Sequence, residues 1–261
     1  MDKAAWEKTA RQLRYYILTM TTTAGSGHTT SALSAVELMT VLFFKYFRQD
    51  TDHLIFSKGH ATPLFYALFA SAGKISEKEL LTYRSFESDL EGHPTPRFRY
   101  TEAATGSLGQ GLSVGAGEAL GVKLQKKDSR IWTLLGDGEL AEGSVWEAAA
   151  FASYQKLNNL IAIVDVNRLG QSQETMYEYH TETYQRRFDA FGWSTLVVNG
   201  HDYAEINAAY EKAVHHQGAP VAIIAKTVKG KGVSFLEDKN GWHGKPLSKE
   251  DLKKALQELA L

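Results

Sequence analysis

A chain of 261 residues with 29 Lys+Arg against 30 Asp+Glu carries a formal net charge of -1, so no basic excess favours nucleic acid and no acidic excess suggests a solvating tail. It has no cysteine, which excludes disulfides, thiolate zinc sites, iron–sulfur clusters and a cysteine nucleophile. With 43% hydrophobic and 23% charged residues, it has the composition of an ordinary globular protein with ample chain to bury a core.

The amino terminus, Met1–Arg14, is charged throughout and lacks the apolar core of a signal peptide. Apolar patches such as Val41–Phe44 fall far short of the roughly 20 residues a spanning helix needs. A cytoplasmic protein without a membrane partner is expected. Trp6, Leu13, Ile17 and Leu18 recur at helical spacing and predict a helix over 4–23, ended by the glycine-rich Ala24-Gly25-Ser26-Gly27. Ser31 to Phe47 reads as one further helix, with Leu33, Val36, Leu38 and Leu42 on its apolar face. A short strand over 52–57, a helix over 61–72 and a shorter one over 77–83 follow. Residues 85–107 mix Gly, Pro, Thr and charges without a period, so they read as a long loop of the kind that serves function. A helix rich in small residues spans 109–127.

The central pattern is sharper. Ile131–Leu135 and Leu160–Val164 are nearly all apolar and flank a helical stretch over 142–154. Strand, helix, strand with both strands apolar predicts a parallel unit buried on both faces. Further strands are expected over 195–198 and 221–225, separated by a helix over 203–215. Residues 226–246 read as loop, and Ser248 with Asp251 three residues on opens a capped terminal helix. No repeat or linker interrupts the chain. The fold class is therefore α/β: one doubly wound domain, a mostly parallel sheet with helices on both faces.

In such sheets ligands bind beyond the carboxyl ends of the strands. Asp137 follows one central strand and Asn167 follows the next, thirty positions later, about the length of one strand–helix–strand unit. A carboxylate, an amide and a nearby backbone carbonyl suit a hard cation such as Mg²⁺ or Ca²⁺. Gly136 and Gly138 let backbone approach a phosphate, and the next helix can aim its first amides at the anion. The competing reading is an ordinary strand-to-helix turn that happens to read Gly-Asp-Gly.

Gly-Asp-Gly followed at this distance by Asn resembles the thiamine diphosphate enzymes. More narrowly, the chain resembles the amino-terminal, diphosphate-binding half of the transketolase family over nearly its whole length. Six motifs carry the likeness: Ser26-Gly27-His28 with Ser31; Ser57-Lys58-Gly59-His60-Ala61; Gly92-His93-Pro94; Thr105 to Gly111; Gly136-Asp137-Gly138-Glu139 through Asp165-Val166-Asn167-Arg168-Leu169; and Lys229-Gly230-Lys231-Gly232 with Trp242-His243-Gly244-Lys245-Pro246-Leu247. Thr29-Thr30 departs from the family pattern, which often has proline after the histidine.

The resemblance implies roles. Asp137 and Asn167 would hold Mg²⁺, or Ca²⁺ or Mn²⁺ in its place, through their side chains, and Leu169 through its carbonyl. Ser31, His60, Gly106, Ser107, Leu108, Gly138, Lys229 and His243 would line thiamine diphosphate. Glu142 would link two cofactor sites across a dimer. His28, His93 and His243 would act on a sugar phosphate, moving a two-carbon ketol unit from ketose to aldose, as in the pentose phosphate pathway. Imidazoles, with an unperturbed pKa near 6.5, suit the proton transfers this needs. The resemblance also implies that the pyrimidine-binding and carboxyl-terminal domains lie elsewhere. The expectation is one diphosphate-binding domain over 1–261, completed by a partner chain in an α₂β₂ heterotetramer. Competing expectations are an unusual-sugar transketolase, a 2-oxo-acid dehydrogenase component, or a non-catalytic binding subunit.

Overall fold

The structure, a computed structural model, describes residues 2–260. Its helices are α1 (Lys3–Ala24), α2 (Thr29–Leu33), α3 (Val36–Val41), α4 (Thr62–Ser71), α5 (Glu77–Leu80), α6 (Gln110–Leu124), α7 (Gly143–Tyr154), α8 (Thr181–Ala190), α9 (Tyr203–His215) and α10 (Lys249–Glu258). The strands are β1 (His53–Phe56), β2 (Ile131–Gly136), β3 (Leu160–Val166), β4 (Ser194–Asn199) and β5 (Val221–Lys226). They form one sheet in the order β1-β2-β3-β5-β4, and every pairing is parallel. Helices cover both faces, as the apolar strand runs require: every residue of β2 and β3 is buried.

Alternate strand residues feed two separate cores. Leu54, Phe56, Trp132, Leu134, Ile161 and Ile163 pack with α1 to α4 and α9 in a layer rich in Phe, Tyr and Trp. Ile131, Leu135, Leu160, Ala162 and Val164 pack with α6, α7 and α8 in a layer rich in Ala. On α6, Gly115 lets this second layer sit close: a Cβ there would lie 2.7 Å from Thr133 Oγ1.

Two expectations change. The stretch 31–47 is not one helix. It breaks into α2 and α3 and then underwinds into a π-turn at Leu42–Tyr46. The break at Ser34-Ala35 is held by the Ser34 hydroxyl, which donates to Ser31 O at 3.0 Å and Asp165 Oδ2 at 2.5 Å. Helix α8 was not visible in the sequence pattern, because only Tyr184 and Phe188 of its ten residues are buried. The loop over 85–107 carries no helix or strand, as expected. Asp2 caps α1, and Ser248 caps α10 by accepting from Asp251 N at 3.0 Å. Among the described residues, no helix is long and apolar enough to cross a membrane.

Candidate functional site

The carboxyl ends of β1, β2 and β3 open into a cavity of about 270 Å³. That is slightly below the roughly 300–1,000 Å³ of complete ligand pockets. His28, Ser31, His60, His93, Gly106, Leu108, Asp137, Gly138, Asn167, Leu169, Lys229 and His243 all line it. Of the residues singled out in the sequence, Ser107 and Glu142 fall outside the lining. Both are exposed, and Glu142 starts α7 beside Gly109.

Four histidines from four loops form its roof. The His28 ring centroid lies 5.2 Å from His60, 5.8 Å from His93 and 5.0 Å from His243, and His60 lies 4.9 Å from His243. Glycine makes this convergence possible. A Cβ at Gly59 would come within 2.7 Å of Gly106 N, so the loops after β1 and before α6 touch through backbone. Gly106 has φ 141 and packs directly under the His93 ring. At the departure from the family pattern, the Thr29 hydroxyl donates to Thr21 Oγ1 at 2.9 Å; next to it, the Thr30 hydroxyl donates to Trp242 O at 3.0 Å and its carbonyl accepts from Gly230 N at 3.0 Å. The loop bearing His28 and the tail bearing His243 are thereby tied together.

Burial, together with nearby cations and other rings, lowers the imidazole pKa values. His28 falls to about 4, through burial first and then His93 and Arg84. His243 falls to about 3, through burial first and then Lys229. His60 and His93 are also lowered, chiefly by burial. All four are neutral at pH 7 and able to accept a proton.

The floor presents the oxygens. Asp137 is 6% exposed, and hydrogen bonds fix its carboxylate: Oδ1 accepts from Gly138 N at 2.9 Å, and Oδ2 from Arg168 N at 2.7 Å and Thr175 Oγ1 at 3.1 Å. Asn167 Oδ1 accepts from Leu169 N at 3.2 Å. Asp137 Oδ1 and Asn167 Oδ1 each accept one bond and keep a lone pair for a cation. Burial, then the nearby Asp165, pushes Asp137 up to about 6, which a bound cation would reverse. Arg168, at φ 61, is clamped by Asp238 through bonds of 2.8 and 2.9 Å and holds this turn in shape.

Lys229 sits between roof and floor. Its ammonium donates to Leu169 O, Gly170 O and His243 Nδ1, each at 2.8 Å. The carbonyl assigned to the metal is thus already bonded to a cation. Burial, then Lys58, lowers Lys229 to about 7.

Three buried groups under the site escaped the sequence reading. Lys58 donates to Asp165 Oδ2 at 2.5 Å and Ser31 O at 2.9 Å. Asp165 is pushed up by burial, but Lys58 outweighs this and holds it low. Glu139, which accepts from Ser57, from Gly109 N at 2.9 Å and from Gly136 N at 3.1 Å, locks the loop before α6 to the end of β2. Their residue types stood in the motifs, but a charge buried by a partner 107 positions away leaves no local mark.

The cavity fits a diphosphate cofactor with a hard cation on two counts. The donor set is oxygen with one amide, and two polar atoms of lining residues, His28 Nδ1 and Ser31 Oγ, are buried without any partner. Comparison with known proteins supports the diphosphate cofactor. The family described as "Transketolase, thiamine diphosphate binding domain" matches residues 6–261. The transketolase of Homo sapiens is 50% identical over 264 residues, a match covering 98% of this chain and 42% of the human protein. The crystal structure of transketolase from Campylobacter jejuni superposes with a TM-score of 0.94 at 34% identity, covering 100% of this chain and 43% of that one. Transketolase from Leishmania mexicana gives a TM-score of 0.90 at 26% identity, covering 98% of this chain and 41% of that one. The chain thus spans about 42% of the length of its curated relatives. It belongs to the family of transketolase thiamine diphosphate-binding domains.

Proposed function

We propose that this chain is the diphosphate-binding subunit of a thiamine diphosphate- and Mg²⁺-dependent transketolase that moves a two-carbon ketol unit from a ketose phosphate to an aldose phosphate. The observation that carries the reading is four neutral histidines roofing an Asp137–Asn167 oxygen floor in one cavity. Asp137, Asn167 and the Leu169 carbonyl would hold the cation, and Ser31, Gly106, Leu108 and Gly138 would border the cofactor. When bound, the cofactor supplies the carbanion-stabilising chemistry.

The chain's own residues would do the rest. His28, His60 and His93 would take or return protons on substrate hydroxyls, since neutral imidazoles at pH 7 can accept a proton. When Lys229 is charged its ammonium donates to His243 Nδ1, and His243 would then carry its proton on Nε2 and offer a hydrogen bond to a developing oxyanion. Glu139 is fully engaged with Ser57 and two backbone amides, so it would hold the loops rather than act on substrate.

The pyrimidine-binding and carboxyl-terminal domains would come from a second chain in an α₂β₂ assembly in the cytoplasm. An exposed apolar strip on α6 and α7 that includes Leu124, Phe151 and Tyr154 supports this. The test is to co-purify the two chains and assay ketol transfer from xylulose 5-phosphate to ribose 5-phosphate with Mg²⁺ and thiamine diphosphate. An active pair supports the reading, and a stable pair inactive on every pentulose phosphate overturns it. Asp137→Ala should abolish Mg²⁺-dependent cofactor binding without unfolding the chain, and His28→Ala should lower kcat far more than cofactor affinity.

A further inference from the structure

The segment that follows β5 carries Lys229, whose ammonium bonds to Leu169 O, Gly170 O and His243 Nδ1. Against this segment packs a buried charge cluster that lies outside the cavity lining. Glu37 on α3 is 7% exposed and Arg14 on α1 is 5% exposed. Arg14 Nη2 donates to Glu37 Oε1 at 2.5 Å. His201, in the turn between β4 and α9, meets Glu37 Oε2 through Nδ1 at 3.0 Å.

Both arms of the cluster end on the backbone beside Lys229. His201 Nε2 accepts from Val228 N at 2.8 Å, and Arg14 Nε donates to Lys231 O at 3.0 Å. One carboxylate thus grips the chain just before Lys229 and again just after it. We propose that Glu37 is a positioning residue for Lys229: acting through His201 and Arg14, it fixes the backbone on both sides of the lysine and aims the ammonium at Leu169 O and His243. The proposal rests on the ketol-transfer reading above, in which His243 and the Leu169 carbonyl face the reaction.

The donor and acceptor pattern requires an anion at the centre. Val228 N is a donor, so His201 Nε2 accepts and the ring carries its proton on Nδ1, towards Glu37. Arg14 also only donates. Glu37 therefore receives one donor on each oxygen, which a carboxylate satisfies on both sides. Burial alone would raise its pKa, but Arg14 and His201 outweigh burial and hold it at about 2. An amide of the same shape has a single oxygen, so one of the two arms would face its N–H groups.

The segment is built to pass this constraint on. Gly232, at φ 96, leaves room for the guanidinium: a Cβ there would lie 2.4 Å from Arg14 Nε. Gly230 N donates to Thr30 O at 3.0 Å, and Lys229 O accepts from Asp238 N at 2.9 Å. With Val228 and Lys231 held as well, every residue from 228 to 231 has a tethered backbone group, and the lysine side chain leaves from a fixed base. An ion pair that only neutralised Arg14 would need neither His201 nor its bond to Val228.

The test is Glu37→Gln in the full-length chain, read first by ¹⁵N NMR of the histidine rings without cofactor or partner. The pH is 6, below the Lys229 value of about 7. Glu37→Gln should move the His243 Nδ1 signal in the direction that Lys229→Met moves it. It should add nothing in the Lys229→Met background, because both act through one ammonium. In the assembled enzyme, Glu37→Gln should lower kcat by about tenfold or more, with KM for the ketose phosphate kept within about twofold. An unmoved His243 signal, an equal further change on top of Lys229→Met, or an unchanged kcat in a pair whose wild type is active overturns the proposal. A wild-type pair inactive on every pentulose phosphate overturns the ketol-transfer reading instead; the NMR comparison needs no turnover and still decides whether Glu37 positions Lys229. Should Glu37→Gln fail to fold, His201→Phe, which keeps a ring but loses both bonds, takes its place with the same outcomes.

Discussion

The two helical layers on this sheet are built to different rules. The layer of α1 to α4 and α9 fills its space with large rings: Phe65 lies 4.8 Å from Phe56, 5.2 Å from Phe69 and 5.7 Å from Phe98, centroid to centroid. The buried faces of α6 and α7 are mostly Ala and Gly, with Leu112, Val122 and Val145 among them, and gain their packing from backbone proximity. The first layer supplies the dry surroundings in which His28 and His60 stay uncharged. The second brings the starts of two helices close enough to place Gly106, Leu108 and the Gly138 turn at the sheet edge. Its outer surface, by contrast, is apolar and open: Val114, Gly117, Gly121 and Leu124 recur along one side of α6. One layer is finished against solvent and the other is not.

The largest effect that would break this contrast is in the ring layer. Phe65→Ala should cost about 3–5 kcal/mol in urea unfolding, because ring neighbours cannot collapse into the cavity. A cost below 1 kcal/mol would mean that the layer is loosely packed. Acid should act on the same layer. His28 and His243 are held at about 4 and about 3 against 6.5 when unfolded. The unfolded chain therefore binds more protons below pH 6.5. Their contribution is complete above that pH and is lost progressively as pH falls from 6.5 towards the folded values of about 4 and about 3. Asp137, raised to about 6 from 3.8, works the other way over pH 6 to 4. Two such imidazoles, with His60 shifted in the same direction, outweigh one carboxyl. Stability should drop by about 2–3 kcal/mol between pH 7 and pH 4.5. A flat profile in urea midpoints would show that the rings are wet.

The small-residue layer predicts a different response. Gly111 faces the sheet, where a Cβ would strike the Ser57 side chain and lie 2.7 Å from its Cα. Ser57 cannot retreat, since it is bonded to Glu139 and to Gly111 N at 3.1 Å. Gly111→Ala should therefore cost about 1–3 kcal/mol by overpacking and weaken cofactor binding with it. A neutral result by thermal unfolding would mean that α6 can slide away from β1.

What was legible in the sequence divides along related lines. The β2 and β3 strands were readable because double-sided burial leaves unbroken apolar runs, and the Asp137–Asn167 pairing followed from strand ends. The break between α2 and α3 was not, because no Gly or Pro marks it; a hydroxyl bond from Ser34 to Asp165, 131 positions away, supplies it. Helix α8 hid for the opposite reason, burying only two residues of a polar segment. The histidines were legible because each stands beside glycine. Lys58, Asp165 and Glu139 were not, because their role is set by what buries them. Thr175 reaches Asp137 from a loop that carries no motif at all.

The smallest effect bears on the open side of α6. Gly121 points away from the sheet, and a Cβ there would meet nothing within 4 Å. Its φ is not in the left-handed region, so alanine fits the helix without strain. Glycine inside a helix costs about 0.5–1 kcal/mol relative to alanine, through backbone entropy in the unfolded chain. Gly121→Ala should therefore stabilise the isolated chain by that amount in urea unfolding, in the opposite direction to Gly111→Ala ten residues earlier on the same helix. If a second subunit lies against this stripe, the added methyl group should also weaken assembly, read as a faster dissociation of the purified complex. A destabilised isolated chain would show that the outer side of α6 is already covered by its own fold, and the contrast between the two layers would fail there.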